Sequence, residues 1–139
     1  MKNKPFLYRQ SCIAMAVFGC MAFILGLVTI LHPSYLISTL NLSASDTIAL
    51  RVTITLNGIA STNMGAYYLY MAYHEVVPFF KITVVFRLLI TVPVILYWYF
   101  AYEQDSFLLV ALWEGLGALW VLGALKYDSF YLKAVEEVL

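Results

Sequence analysis

Charge is scarce in this 139-residue chain. Asp, Glu, Lys and Arg make up 12% of it, about half the roughly 25% of an ordinary soluble domain. The eight basic and eight acidic residues cancel, so no basic field exists to attract nucleic acid, and no nucleic-acid partner is expected. Cysteine is nearly absent: Cys12 and Cys20 are the only two. They stand eight positions apart, about 12 Å along a helix, too far for a bridge within one helix. No CxxC is present, so thiol–disulfide redox chemistry is not expected and both thiols read as small packing residues.

Histidine is equally sparse. His32 is expected at the outer end of the first helix and His74 at the cytoplasmic end of the second, about a membrane thickness apart, so neither a bis-histidine haem nor a two-histidine metal site is expected. Phosphate loops, nucleophile elbows and metal-spaced acid clusters are also missing from the sequence. No cofactor is expected.

What fills the chain is apolar surface. Hydrophobic residues account for 63% and aromatics for 17%, so there is too little polar surface to clothe a water-soluble domain. The expected fold class is all-α: an integral membrane four-helix bundle forming one transmembrane domain over 1–139. Its helices are expected at about 11–31, 47–73, 79–102 and 106–126, followed by a short amphipathic tail at 127–139. The run Cys12–Leu31 is too long for a signal h-region and leads into His32-Pro33-Ser34, so it is read as a retained helix. Tyr35–Leu42 reads as a short interfacial segment, and Ser43–Asp46 offers capping oxygens to the second helix.

The second helix is the most polar. Arg51, Thr55, Gly58, Thr62 and Gly65 fall on one stripe, with Asn57, Ser61 and Tyr68 beside it. Lipid cannot hydrogen-bond these groups, so the stripe is expected to face protein or water. Its small-xxx-small spacings fit either a packing seam or a ligand-facing wall. The third helix carries Arg87 on one face with Thr83 and Thr91. Pro93 should kink it, because the carbonyl of Leu89 loses its donor. It ends in an interfacial belt of Tyr97, Trp98, Tyr99, Phe100 and Tyr102, and Ser106 is placed to cap the fourth helix.

Four spans put both termini on one face. That face would hold Lys2, Lys4, Arg9, Lys81, Lys126 and Lys133, and the other only Arg51 among cations. The asymmetry predicts cytoplasmic N- and C-termini.

Inside the fourth helix lies Glu114. A carboxylate within a membrane segment is costly unless paired, and marks a functional site by default. By depth alone Arg51 is its better partner and Arg87 the second, with Asn57 able to satisfy remaining lone pairs. Gly115, Gly117, Ala118, Gly123 and Ala124 around the acid fit either close helix approach or a cavity. Trp113 and Trp120 share a face and read as lipid or core contacts.

Four segments carry a family likeness: ALRVTITLNGIA with Arg51, GAYYLYMA with Tyr67 and Tyr68, TVVFRLL with Arg87, and WEGLGALWVLGALK with Glu114. Together they resemble the small four-helix DoxX-like membrane proteins, over about residues 11–126. The resemblance implies a four-helix bundle with an arginine–carboxylate cluster and no particular reaction. Glu114 departs from it, since the relatives more often have aspartate there; the carboxylate is kept.

The leading expectation is a polar cavity lined by Arg51, Asn57, Tyr68, Arg87 and Glu114. It would bind a lipophilic or amphipathic molecule, or a partner subunit, from within the lipid. A second reading is an isomerase- or cyclase-type enzyme on a lipid-soluble substrate, with Glu114 as catalytic general acid. A third is a small transporter or channel, which at this length would need a homo-oligomer, with the stripe of the second helix as its interface.

Overall fold

Long apolar runs with few glycines or prolines inside them leave the backbone little choice but the helix, which satisfies its own polar groups. The computed structural model describes residues 9–40 and 48–138. Among them every regular element is helical, and no strand occurs. The helices are α1 (Gln10–Leu31), α2 (Pro33–Thr39), α3 (Ile48–Tyr73), α4 (Val77–Tyr102) and α5 (Asp105–Val138).

Three segments are long and apolar enough to cross a membrane: α1, α4 and the stretch Asp105–Tyr131 of α5. With 26 residues, or about 39 Å, α3 has the length, but its hydroxyl, amide and guanidinium groups make it more polar than those three. Exposure is inverted relative to a water-soluble protein. Leu89, Phe100 and Leu116 are 71%, 75% and 64% exposed, while Arg87 is 7% exposed. Such a surface suits hydrocarbon, which solvates apolar groups and not ionic ones.

The chain divides into two compact units, one formed by Met1–Met15 with Met71–Leu139 and the other by Ala16–Tyr70. In the first unit α4 and α5 form an antiparallel hairpin. Only Glu103 and Gln104 connect them, and Glu103 takes a left-handed conformation (φ 52°) that ends α4. The belt closes over this turn: Trp98 stacks on Tyr102 at 5.2 Å, and Tyr102 lies over Phe107 of α5 at 6.4 Å. Helix α5 begins at Asp105, so Ser106 sits inside its first turn and is not the cap expected from sequence. An aspartate there complements the positive end of the helix dipole.

At its far end α5 does not stop near residue 126. It continues unbroken to Val138, 34 residues and about 51 Å in all, because no glycine or proline follows Gly123 to end it. The separate tail helix expected from the fall in hydropathy is the last part of this rod. Asp128 on that extension caps α1. Its carboxylate accepts the Gln10 and Ser11 amides, both at 2.9 Å, and the Ser11 hydroxyl. Nearby, α3 ends in a Schellman motif. The Val76 amide donates to the Met71 carbonyl and the Glu75 amide to that of Ala72, with Glu75 at φ 52° where glycine is usual. The Glu75 side chain pairs with Arg9 at 3.1 Å.

Asp128→Ala strips three acceptor contacts from the start of α1 while the Ser11 amide stays buried. The expected loss is about 1–2 kcal/mol of unfolding free energy. Hydrogen exchange at the Gln10 and Ser11 amides should quicken with it. Unchanged exchange at those amides would remove Asp128 from the role of cap.

In the second unit α1 and α3 meet backbone to backbone. A Cβ added at Gly65 would lie 2.5 Å from the Phe23 nitrogen and 2.7 Å from the Gly19 carbonyl oxygen. One added at Gly26 would lie 2.5 Å from the Thr62 nitrogen and 2.7 Å from the Gly58 oxygen. Gly19 therefore faces Gly65 and Gly26 faces Gly58, seven residues on in each helix and running in opposite senses. The Ser61 hydroxyl donates across the seam to the Ala22 carbonyl at 3.0 Å. The α3 stripe is thus a packing seam through Gly58, Thr62 and Gly65, occupied within the chain by α1. The Ser43–Asp46 cap expected for α3 falls outside the described residues.

Candidate functional site: an ion pair at a widened helical turn

Glu114 is the tenth residue of α5, and Arg87 opens a five-residue π-helical turn, Arg87–Thr91, inside α4. The turn stands directly before Val92-Pro93. In a regular α-helix Pro93 could not donate to Leu89, and its ring would collide with that carbonyl. Here the Val92 amide reaches back five residues to the Arg87 carbonyl, so the backbone widens where the proline would otherwise disrupt it. Where sequence predicts a kink, the structure has a π turn.

The two side chains meet at this turn. Arg87 Nε lies 2.9 Å from Glu114 Oε2, with 9% of the arginine side chain and 21% of the glutamate side chain exposed. The contact is short and charge-assisted, the strong class of hydrogen bond. The chain forces these elements together: a two-residue connection makes α4 and α5 neighbours before any depth is considered. Depth along the membrane normal alone favours Arg51, but it ignores which helices adjoin and which way each residue faces. The carboxylate's partner in the structure is Arg87.

Of the five residues expected to share a cavity, Arg87 and Glu114 are brought together. The other three belong to the Ala16–Tyr70 unit. Arg51 is exposed and borders an open groove of about 560 Å³ with Leu31, His32, Ser34 and Tyr35. Asn57 is also exposed. Tyr68 is buried, 6% exposed, and its Cβ packs at the Gly19 face of α1, which makes it part of the seam.

At Gly115 and Gly123 the α5 backbone makes no close approach to a neighbouring helix. A Cβ at Gly115 would meet only the Val92 side chain at an ordinary 3.7 Å, and one at Gly123 would meet nothing within 4 Å. Asp128 is the polar residue sequence reasoning passed over. Its signal was a single carboxylate just past the apolar run, on a segment with no helix breaker.

Comparison with protein-family models, curated proteins and solved structures finds no match to this chain.

Proposed function

We propose that this chain is a four-pass integral membrane protein with cytoplasmic termini, which binds a lipophilic, amphipathic molecule at the Arg87–Glu114 pair. The observation that carries the reading is the pair itself: an ionic contact of 2.9 Å between two helices long and apolar enough to span a bilayer. Ionisable groups are kept in such segments at a cost, and a binding role accounts for keeping both. The carboxylate is the more accessible member, 21% against 9%. A ligand head that donates a hydrogen bond to Glu114 would fit it.

Counting α3 as the fourth span has its own support. The hydroxyls of Thr53, Thr55 and Thr62 donate to carbonyls four residues back, at 2.9, 2.8 and 2.9 Å. Ser61 donates to α1. Polar groups satisfied in this way can sit in hydrocarbon. An even number of spans then joins with the lysine and arginine asymmetry to put both ends in the cytoplasm. The resemblance to DoxX-like proteins points the same way.

The test is native mass spectrometry of the protein extracted with its own lipids. The parent should carry a specific small molecule, and Glu114→Gln, which keeps shape but not charge, should hold it about 10–100-fold more weakly. Equal retention by the variant would defeat the proposal. A co-purifying polypeptide in place of a small molecule would replace it with an assembly-subunit role.

A further inference from the structure

Between α4 and α5, at the end of the hairpin away from the aromatic belt, lies a groove of about 610 Å³. This is within the roughly 300–1,000 Å³ usual for small-ligand sites. Its composition is divided by chemistry. Val84, Leu122 and Phe130 give it apolar walls, while Lys81, Lys126 and Ser129 bring two cations and a hydroxyl to its edge. The lysines come from different helices, Lys81 from α4 and Lys126 from α5, and converge on one groove.

Their charge is uncommitted. Among the described residues neither lysine has a carboxylate partner. The acids nearest in sequence at this end are engaged elsewhere: Asp128 caps α1, and Glu75 pairs with Arg9. Two ammonium groups beside an apolar trough match one kind of molecule, a phospholipid whose headgroup carries a net negative charge and whose acyl chain can lie along the trough. A free small anion would use the lysines and leave the walls unexplained. A zwitterionic lipid would bring its own cation to them.

We propose that Lys81 and Lys126 hold the headgroup of one anionic phospholipid, with its acyl chain along Val84, Leu122 and Phe130. The site is separate from the Arg87–Glu114 pair and does not depend on a ligand there. If the termini are cytoplasmic, this lipid belongs to the cytoplasmic leaflet, where anionic lipids concentrate.

The experiment is competitive lipid retention by the full chain, read by native mass spectrometry with equimolar phosphatidylglycerol and phosphatidylcholine. The parent should retain one phosphatidylglycerol preferentially. Each lysine near an anionic surface is worth about a factor of five, so Lys81→Gln with Lys126→Gln should cut the preference roughly 25-fold. Lys81→Arg with Lys126→Arg should keep most of it, which guards against a folding defect in the glutamine pair. Glu114→Gln should keep it fully, which separates this site from the ligand of the preceding section. No preference in the parent, or an undiminished one in the glutamine pair, overturns the proposal. So does displacement of the lipid by inorganic phosphate at equal concentration, which would mark a free-anion site.

Discussion

Glu114→Ala is expected to destabilise the protein by about 3–5 kcal/mol, the usual cost of leaving one member of a buried ion pair without the other. Arg87 would keep its charge with 9% of its side chain exposed and its 2.9 Å partner gone. The reverse change, Arg87→Met, should cost a similar amount. Replacing both, as Arg87→Met with Glu114→Met, should recover most of the loss, since well-packed apolar substitutes for a buried pair are often neutral. A double-mutant cycle of unfolding free energies in detergent micelles measures the coupling. Additive single effects, or a loss below about 1 kcal/mol for Glu114→Ala, would show that the pair does not hold the hairpin. The double variant also separates structure from binding. If it folds well and still fails to retain the ligand, the pair is there for the ligand.

The second large effect belongs to the glycine seam. Gly65→Ala puts a methyl group 2.5 Å from the Phe23 nitrogen and 2.7 Å from the Gly19 oxygen. Those neighbours are backbone and cannot swing aside, so the helices must part. Overpacking of this kind costs about 1–3 kcal/mol, and a rigid obstacle puts it at the upper end. Gly123→Ala is the matched comparison. Its added methyl meets nothing within 4 Å, and in a helix interior alanine is better than glycine by up to about 1 kcal/mol. Thermal unfolding of the two variants side by side should move in opposite directions. If Gly65→Ala were as stable as the parent, α1 and α3 would not pack as described.

The ion pair and the glycine seam differ in how far sequence could reveal them. Helices were legible from length and apolarity, and Glu114 and Arg87 stood out because charge inside such segments is rare. Gly58 and Gly65 were legible as a small-residue stripe. Their partners Gly19 and Gly26 were not singled out, because α1 is apolar on every side and its glycines carry no polar marker. The partner of Glu114 is hidden from sequence for a related reason. Depth can be counted along a helix, but facing direction depends on how helices adjoin, and the two-residue link at Glu103-Gln104 was the better guide. The extent of α5 was hidden by hydropathy, which falls near Lys126 although nothing there breaks a helix. The cap at Asp128 followed from that extension and was hidden with it.

The π turn has a further effect on how α4 is built. A widened turn acts as one surplus residue in an otherwise regular spiral, so everything from Val92 onward is out of phase with what precedes Arg87 by one residue's rotation, about 100°. The lysine end and the aromatic end of α4 therefore cannot be aligned on a single helical wheel. A chain shortened by one residue between Arg87 and Thr91 would keep both ends helical and apolar. It would close the turn to a regular α-helix and leave Tyr97, Trp98 and Tyr102 facing as they do, whereas straightening the turn at full length would swing them by about 100°. The aromatic belt thus takes its bearing from the same turn that presents Arg87 to Glu114.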